Sequence, residues 1–220
     1  GFKGYSLRRH LGDSLLSSTT TTMTQLPATP SSRQDIRQRI RQHRRSLTAE
    51  QQQLFSQQAA SRLMAYPPVV MAHTVAVFLS FDGELDTQPL IEQLWRSGKR
   101  VYLPVLHPFS PGNLLFLHYH PRSALVINRL KIREPKLDVR DVLPLDKLDV
   151  LVTPLVAFDE RGQRLGMGGG FYDRTLQNWQ QYNVQPVGYA HDCQQVDALP
   201  IAEWDIPLPA VVTPSKVWEW

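Results

Sequence analysis

A glycine-rich segment at residues 164–174, RLGMGGGFYDR, carries the clearest chemical signal in the sequence. It holds four of the chain's twelve glycines within five positions. A residue without a Cβ can take positive φ and let the backbone come close to a ligand. The segment runs into a predicted helix, whose first N–H groups and dipole favour an anion. The pattern predicts a phosphate-binding loop, and it leaves open the alternative of a flexible loop or a tight turn.

Two common phosphate motifs do not fit this loop. A Walker A loop ends in Gly-Lys-Ser/Thr, and the dinucleotide fingerprint would need glycine at position 171, where the chain has Phe171. The flanking side chains nevertheless favour a functional loop. Arg164 can pair with a phosphate through two hydrogen bonds. Tyr172 can stack on a base, and Asp173 can hold a hard cation.

The basic residues are concentrated near the N-terminus. Residues 1–48 carry nine Lys/Arg and two Asp/Glu, or +7, and the rest carries 15 basic and 18 acidic residues, or −3. Arg33 and Arg37 stand four residues apart, on one face of a helix predicted from Arg33 to Arg45. A basic segment of this kind indicates an anionic partner. A solvated helix face is the alternative that charge alone leaves open.

Composition excludes several other classes of protein. The apolar fraction of 42% is ordinary for a globular domain, and no apolar run approaches the roughly 20 residues that cross a bilayer. A single cysteine, Cys193, allows no internal disulfide. His118 and His120 point to one face of a predicted strand, but the sequence shows no third metal ligand. Four tryptophans are expected to pack rather than to contact a cofactor: Trp179, Trp204, Trp218 and Trp220.

Predicted strands and helices alternate along the chain. Thr48 and Gln51 form a capping box that begins a second helix, which runs to about Met64. Further helices are predicted over 87–97 and 171–181, and an irregular stretch runs from 120 through Pro135. The predicted strands are 74–79, 100–104, 114–119, 148–153, 186–190 and 210–213. This order predicts a three-layer α/β/α fold with a mainly parallel, mixed sheet. Ligands of such sheets bind beyond the strand C-termini, here near Leu79 and Thr153.

Residues 1–32 differ from the rest of the chain. They are rich in Ser, Thr and Pro and lack the apolar residues needed to bury a core. We expect an N-terminal extension that is disordered or not native, with Met23 as the natural start and residues 1–22 derived from a vector or from upstream sequence. An organellar transit peptide is the alternative. Residues 33–220 are then expected to form a single catalytic domain.

Four regions, taken in order, resemble the 5-formyltetrahydrofolate cyclo-ligase family. The segment at 164–174 is similar to the nucleotide loop of that family. Arg33 and Arg37 resemble its N-terminal basic pair, which contacts ATP phosphates. Residues 78–86, FLSFDGELD, resemble its substrate strand and loop, and Glu84 stands at the folate-binding acid.

The fourth region is residues 203–205, EWD, which resembles the segment that supplies a second Mg²⁺-linked aspartate. The resemblance covers roughly residues 33–214, nearly all of the chain outside the N-terminal extension. The chain departs from some relatives inside the loop, where Met167 and Gly169 are uncharged and a relative can carry a basic residue. Backbone N–H groups and Arg164 are then expected to do more of the phosphate binding.

The resemblance implies an enzyme that converts 5-formyltetrahydrofolate to 5,10-methenyltetrahydrofolate with ATP, through phosphorylation of the formyl oxygen and ring closure by N10, releasing ADP and phosphate. It also implies Mg²⁺ as a cofactor, a Rossmann-like, NagB/RpiA/CoA-transferase-like fold, and a cytoplasmic monomer. The implied catalytic residues are Arg164, Tyr172 and Asp173, and the implied metal ligands are Asp173 and Asp205. The implied substrate-binding residues are Leu79, Phe81, Glu84 and Phe171. The implied ATP-binding residues are Arg33, Arg37, Arg164, Leu165, Gly166, Met167, Gly168, Gly169, Gly170, Phe171 and Tyr172.

Two other functions are compatible with parts of the sequence. An enzyme of the same fold could use ATP on another formylated amine. A protein without enzymatic activity could bind nucleic acid through the basic helix, with a steep dependence on salt. The sequence contains no recognisable RNA-binding motif, which argues against the second of these.

Overall fold

The structure, a computed structural model, describes residues 32–220, and Ser32–Trp220 form one compact unit. The predictions made for the N-terminal extension fall on residues 1–31 and lie outside the described residues. The helices are α1 (Arg33–Ser46), α2 (Ala49–Met64), α3 (Pro67–Met71), α4 (Gln88–Arg96) and α5 (Phe171–Leu176). The strands are β1 (Thr74–Ala76), β2 (Arg100–Leu106), β3 (Leu114–Tyr119), β4 (Leu125–Ile127), β5 (Arg133–Pro135), β6 (Val142–Leu143), β7 (Val150–Thr153), β8 (Ala157–Phe158), β9 (Arg164–Leu165), β10 (Gln185–Tyr189), β11 (Ala210–Val212) and β12 (Val217–Glu219).

The first two helices begin where side-chain caps satisfy their free N–H groups. Ser32 Oγ accepts a hydrogen bond from the Asp35 N–H at 3.1 Å. The capping box of α2 is confirmed, because Thr48 Oγ1 accepts from the Gln51 N–H at 3.1 Å and Gln51 Oε1 accepts from the Thr48 N–H at 2.9 Å. Ile36 anchors α1 in the interior, where it is 3% exposed. The arginines on the other face of α1 are therefore left free for polar partners.

An eight-stranded sheet forms the centre of the fold, in the order β12-β11-β10-β7-β1-β2-β3-β6. The five strands from β11 to β2 are parallel, and β12, β3 and β6 join antiparallel. Alternate strand residues face opposite sides: Val75 packs in the cluster that includes residues of α2 and α4, and Ala76 in the cluster that includes Leu176 of α5. The predicted three-layer fold with a mainly parallel, mixed sheet is confirmed.

Two predicted elements end earlier than the sequence pattern indicates. The strand predicted over 74–79 ends at Ala76. The Val77 N–H still donates to the Tyr102 carbonyl of β2 at 2.9 Å, but the Phe78 carbonyl accepts from Thr87 Oγ1 at 2.6 Å. The Thr87 hydroxyl thus donates the hydrogen bond that a neighbouring strand would donate if the strand continued through Phe78. The helix predicted over 171–181 is also too long, because α5 stops at Leu176 and Asn178 takes a left-handed φ of 58°. A separate 3₁₀ turn follows at Trp179–Gln181.

The stretch predicted to be irregular, from 120 through Pro135, contains a hairpin. Strands β4 and β5 pair antiparallel, and Ile127 lies opposite Arg133. Asn128 closes the connection, since its Oδ1 accepts from the N–H groups of Leu130 and Ile132 at 2.8 and 3.1 Å. Each of these strands has three residues. Such strands are too short for a period of two to show in the sequence, and the same holds for β12.

Candidate active site

One cavity of about 570 Å³ opens at the C-terminal ends of β1 and β7. Leu79 lines it just after β1, and Pro154 lines it just after β7. This is the position that the strand order predicts for a ligand site. Three regions of the chain contribute to its lining: the loop wall (Arg33, Arg37, Arg164 and residues 166–173), the acid turn (residues 81–84, of which 81 and 84 line the cavity) and the hairpin wall (residues 128–134, except 129 and 131).

Helix α1 contributes the basic pair to the loop wall. Arg33 donates two hydrogen bonds to the Asp205 carboxylate, from Nη1 at 2.7 Å and from Nη2 at 2.9 Å. Arg37 donates from Nε to the Gly166 carbonyl at 2.8 Å, and its two terminal nitrogens have no hydrogen-bond partner in the described part of the chain. Arg39 is exposed and does not line the cavity. The predicted sharing of one face by Arg33 and Arg37 is therefore seen in the structure.

Arg164 forms the buried floor of the loop wall. Its side chain is 4% exposed, and Nε donates to the Pro154 carbonyl at 2.9 Å. Nη1 lies 3.4 Å from Asp173 Oδ1, and the guanidinium carbon lies 5.6 Å from the centre of the Tyr172 ring. Burial lowers the pKa of Arg164, against the opposing effect of Asp173, and raises the pKa of the Tyr172 hydroxyl. The three implied catalytic residues therefore lie together, with a cation that orients the carboxylate and a phenol that stays protonated.

The glycines of the loop meet steric demands that other residues would violate. Gly168 has φ of 107°, and Gly170 has φ of 71° as the N-cap of α5. A Cβ at Gly169 would stand 2.7 Å from a ring carbon of Phe171. Arg174 holds the loop in place from outside, because Nη1 donates to the carbonyls of Gly169 and Gly112 at 2.8 and 2.9 Å. The loop is thus a fixed turn with its backbone open to the cavity.

One residue predicted to bind ATP lies elsewhere. Leu165 is 1% exposed and packs in a core cluster with Ile36 and Ile40 of α1. Its side chain does not line the cavity, which corrects the prediction for that side chain. Met167 does line the cavity and is 50% exposed. Leu165 instead packs against α1, and this packing fixes the position of β9, which directly precedes the glycine loop.

The acid turn presents Glu84 to the cavity. The Phe81 carbonyl accepts from the Glu84 N–H at 3.0 Å, and Asp82 and Gly83 have φ of 51° and 74°. Two consecutive positive φ values are typical of a type I′ turn. Glu84 Oε1 accepts from the Phe81 N–H at 3.1 Å, and the residue is 8% exposed. Burial raises the pKa of Glu84 to about 7, against the opposing effects of the Phe81 N–H and of Arg44. Phe81 is 44% exposed at the cavity.

The two aspartates predicted to bind Mg²⁺ have different surroundings. Both oxygens of Asp205 accept from Arg33, and Oδ2 also accepts from the Ala202 N–H at 2.8 Å. Burial acts to raise the pKa of Asp205, but the hydrogen bonds from Arg33 and Ala202 outweigh it and lower that pKa. Asp173 Oδ1 accepts from Arg164 and from the Ile206 N–H at 3.2 Å, while no described residue donates to Oδ2.

These surroundings fit a metal held jointly with a nucleotide. Residues 32–220 contain no group of three or more His, Cys, Asp or Glu side chains placed to hold a metal ion. Mg²⁺ in phosphate-transfer sites needs fewer protein ligands, because one or two carboxylates act with substrate phosphates and water. Asp173 Oδ2 accepts no hydrogen bond from a described residue, and its role as a metal ligand stays a prediction. Asp205, as it stands, is the partner of Arg33, and its metal role stays a prediction.

The hairpin wall was missed by sequence reasoning. The cavity is lined by three residues of the connection between β4 and β5 and by the first residue of β5: Asn128, Leu130, Ile132 and Arg133. Glu134 supports them, since Oε2 accepts from the Leu106 N–H of β2 at 3.1 Å and from Asn128 Nδ2 at 3.0 Å. Its basic residues are the feature of the sequence that could have predicted a binding role for the hairpin wall. Basic residues are equally common in exposed loops, so they do not identify such a wall.

Trp204 was assigned a packing role, and that prediction is wrong. Its side chain is 67% exposed and lines the cavity next to the Arg33–Asp205 pair. Trp218 does pack in the core cluster below the sheet, as predicted. The neighbouring Asp205 distinguishes Trp204 from the others, because it ties that stretch of chain to α1.

Comparison with known proteins agrees with this geometry. Residues 29–214 match the model of the 5-formyltetrahydrofolate cyclo-ligase family. A 5-formyltetrahydrofolate cyclo-ligase of Escherichia coli (strain K12) is 84% identical over 181 residues, which are 82% of this chain and 100% of that protein. A protein of the same name from Haemophilus influenzae is 53% identical over 176 residues, or 80% of this chain and 94% of the relative.

Solved structures give the same result for the fold. The NMR structure of Aquifex aeolicus 5,10-methenyltetrahydrofolate synthetase has a TM-score of 0.73 at 28% identity, covering 85% of this chain and 92% of that one. A 5,10-methenyltetrahydrofolate synthetase from Mycoplasma pneumoniae, at 22% identity and a TM-score of 0.66, shares the fold. The basic pair, the glycine loop and the acid turn meet at one cavity, and the family model matches most of this chain. The chain therefore belongs to the 5-formyltetrahydrofolate cyclo-ligase family.

Proposed function

We propose that the protein converts 5-formyltetrahydrofolate to 5,10-methenyltetrahydrofolate, with ATP converted to ADP and phosphate. The observation that carries the proposal is the meeting at one cavity of three separate regions of the chain: the basic pair of α1, the glycine loop and the acid turn. The names of the similar E. coli and Aquifex proteins support the same reaction. A cavity of about 570 Å³ lies in the range of small-molecule sites.

The chemistry accounts for the parts of the cavity. An N-formyl group is an amide, and its oxygen is a poor leaving group. Transfer of the γ-phosphoryl group of ATP to that oxygen makes it a good one. The N10 nitrogen then attacks the activated carbon, the ring closes, and phosphate departs with the former formyl oxygen. A protein accelerates such phosphoryl transfer mainly by positioning the reactants and by neutralising charge.

We assign the phosphates of ATP to the loop wall. Arg37 Nε is fixed on the Gly166 carbonyl, so the cation is held in place before ATP binds, and no residue among 32–220 accepts a hydrogen bond from its terminal nitrogens. Arg33 is fixed in the same way by Asp205. The backbone of residues 166–170 offers N–H groups with no intervening side chain except that of Met167. Donors fixed in advance cost no reorganisation during the reaction.

Arg164, Tyr172 and Asp173 would act on the transferred group. The Arg164 cation is buried, where its charge acts more strongly than in water. The Tyr172 hydroxyl stays protonated and can donate a hydrogen bond to an oxygen that gains charge. Asp173, with Oδ2 available, would hold Mg²⁺ against the phosphates together with Asp205. The metal would neutralise phosphate charge when it is bound.

The folate would occupy the apolar part of the cavity. Leu79, Phe81 and Phe171 line it and offer flat or branched apolar surfaces to the pterin ring. Glu84 lies among them and can accept hydrogen bonds from the ring's N–H donors. None of the helices among residues 32–220 is long and apolar enough to cross a membrane. A monomeric state, a cytoplasmic location and the lack of a nucleic-acid partner stay predictions.

A steady-state assay tests the proposed reaction. Purified protein is mixed with 5-formyltetrahydrofolate, ATP and Mg²⁺, and the methenyl absorbance is followed while ADP and phosphate are measured. We expect one ADP and one phosphate for each methenyl product, and no product when ATP is omitted. A higher kcat/KM for another formylated amine would change the substrate. Salt-sensitive RNA binding without turnover would instead support a nucleic-acid binder.

A further inference from the structure

The peptide group between Gly83 and Glu84 is held on both of its edges. Its N–H, which belongs to Glu84, donates to the Phe81 carbonyl at 3.0 Å and closes the acid turn. Its carbonyl, which belongs to Gly83, accepts from Nε2 of Gln52 in α2 at 3.1 Å and lies 3.2 Å from Nε2 of His191, which follows β10. A peptide group is planar, so these contacts together fix the direction in which the Glu84 side chain leaves the backbone.

The contact with Gly83 determines which nitrogen of His191 carries the proton. A carbonyl oxygen can only accept a hydrogen bond, so Nε2 is the donor. His191 is 1% exposed, and this burial lowers its pKa to about 4, so the ring is neutral near pH 7 and Nδ1 is unprotonated. Within residues 32–220, Nδ1 has no hydrogen-bond partner. A buried acceptor without a partner costs stability, which indicates that the histidine is present for its Nε2 donor.

Both donors are held by elements that lie outside the cavity. Gln52 is in the first turn of α2, whose start is fixed by its capping box. The Phe55 ring of the same helix packs edge-on against His191, with the two ring centres 6.1 Å apart. The His191 N–H donates to Gln194 Oε1 at 2.8 Å, and Gln194 Nε2 donates to the Leu155 carbonyl at 2.8 Å. Neither Gln52 nor His191 lines the cavity, so each can act on it only through the turn.

Helix α1 contacts the same turn through the side chain of Asp82. Arg45 Nε lies 2.8 Å from Oδ1, and Arg41 Nε lies 3.3 Å from Oδ2. Both arginine side chains are exposed, and ion pairs of exposed groups contribute little to stability. They also hold a side chain that lies before the peptide group of Gly83 and Glu84. The hydrogen bonds to the Gly83 carbonyl therefore have the more direct effect on Glu84.

We infer that His191 and Gln52 are positioning residues for Glu84, which hold its carboxylate in the direction that receives the folate. Glu84 is 8% exposed, and its Oε1 accepts from the Phe81 N–H, so only a small part of the carboxylate faces the cavity. A rotation of the peptide group between Gly83 and Glu84 would turn that part away from the ligand. The inference rests on the proposed function, because it assumes that Glu84 binds the folate.

The main test compares His191→Met with His191→Gln. The two replacements have similar length and shape, but only glutamine can place an N–H near the former Nε2. We expect His191→Met to raise the KM for 5-formyltetrahydrofolate about fivefold or more, while the KM for ATP changes less than about twofold. His191→Gln should restore most of the folate KM. A merely structural role of the imidazole ring would affect both variants alike, so equal folate KM values in the two variants would overturn the inference.

Gln52→Met removes the other donor to the Gly83 carbonyl. Gln52 is half-buried, so this variant should fold even if His191→Met does not. We expect the folate KM to rise about threefold and the KM for ATP to stay unchanged. Gln53→Met, at an exposed position of the same helix outside the cavity, is the matched control and should change neither KM. A wild-type folate KM in Gln52→Met, or an equal rise in the KM for ATP, contradicts the inference.

A Glu84→Ala background shows whether the donors act through the carboxylate. Each protein is titrated with 5-formyltetrahydrofolate in the absence of ATP, and binding is followed by tryptophan fluorescence. In the wild-type background, His191→Met should raise the Kd about fivefold. In the Glu84→Ala background it should add no further rise, as expected for two residues that act through one contact. The same fivefold rise in both backgrounds would show that His191 does not act through Glu84.

The same titration separates this inference from the proposed function. Wild-type protein that neither binds nor turns over 5-formyltetrahydrofolate contradicts the proposed function itself. Wild-type protein that binds and converts the folate, with His191→Met and His191→Gln binding it equally well, contradicts the positioning role alone.

Discussion

The loop wall and the acid turn hold their charges in opposite ways. In the loop wall each cation has a partner. Arg33 has Asp205 and Arg37 has the Gly166 carbonyl, both far away along the chain, and Arg164 has Asp173 within the same segment. In the acid turn, Glu84 is buried and has one backbone N–H, with no ion-pair partner among residues 32–220.

The two regions therefore differ in how their charged groups affect the free energy of folding. In the loop wall the partners of the three cations offset a part of the free energy that desolvation costs. The Glu84 carboxylate lacks such a partner, so its ionised form opposes folding. A residue that lowers stability and lines a cavity is expected to be retained for ligand binding. Each prediction below tests one side of this contrast.

Glu84→Gln should stabilise the fold at alkaline pH. The pKa of Glu84 is about 7 in the folded protein and 4.5 in a model peptide. Between these values the folded state binds more protons, so stability falls as pH rises, and the loss is complete above the folded pKa. The shift corresponds to about 3 kcal/mol, which glutamine should recover while keeping the hydrogen bond from Phe81. Urea denaturation at about pH 8 and about pH 5 measures this, and the gain should shrink at the lower pH.

The same variant should bind 5-formyltetrahydrofolate poorly, because an amide cannot accept from both pterin donors. If Glu84→Gln is no more stable than the wild-type protein at high pH, the two regions do not differ in the way described. A rise in stability with unchanged folate binding would show that the carboxylate is not retained for this ligand.

Asp173→Asn should lower kcat by about 100-fold or more, because the change removes a charge that faces both Arg164 and the phosphate–metal complex. The amide keeps the shape of the side chain but leaves the buried Arg164 cation without its carboxylate, so the melting temperature should fall as well, and kcat is compared at a temperature at which the variant is folded. Asp197→Asn is a matched control at an exposed site outside the cavity. Steady-state kinetics over a range of Mg²⁺ concentrations measure the effect. Unchanged activity at limiting Mg²⁺ would rule out the assigned role.

Arg37→Ala should weaken the use of ATP by an amount equivalent to about 2 kcal/mol, or about 30-fold in kcat/KM, through loss of a charge-assisted phosphate contact. Arg39→Ala, two residues along the same helix, should do little because Arg39 is exposed. ATP kinetics of the two variants decide the matter. Equal small losses would separate α1 from the phosphates and leave the glycine loop as the supported phosphate contact.

Arg133→Ala should have the smallest effect. Arg133 lines the hairpin wall, is exposed, and has no ion-pair partner among the described residues. A contact with a carboxylate of the substrate's glutamate would be worth about 1 kcal/mol or less, so the folate KM should rise about threefold to fivefold. Arg129→Ala, on the same hairpin and outside the lining, is the control. A larger rise in the KM for ATP than in the KM for folate would indicate that the hairpin wall binds ATP instead.

The sequence was informative where chemistry requires particular residue types at fixed spacing. The four-residue separation of Arg33 and Arg37 placed both on one face of α1, and Gly168 and Gly170 marked positions of positive φ. The order of strands placed the ligand site at the ends of β1 and β7. In each case a local pattern has one physical cause, so the sequence contains the needed information.

The sequence was uninformative where a short segment depends on distant partners. The hairpin that carries Arg133 has strands of three residues and is positioned by Glu134 on the backbone of β2. The early end of β1 depends on Thr87, which takes the Phe78 carbonyl. Trp204 is kept at the cavity by the Arg33–Asp205 pair, a contact across the whole domain. No local pattern encodes such contacts.

Helix α1 contacts the loop wall near its beginning and the acid turn near its end. Arg33 near its beginning and Arg44 near its end are separated by eleven residues, or about 16 Å along the helix axis. An α-helix does not stretch at low energy, so a tilt of α1 at one end would displace the acid turn at the other. Each substrate should then change the affinity for the other by the same factor, as linkage requires. One basic helix would in this way couple the binding of the two substrates without making either of them bind first.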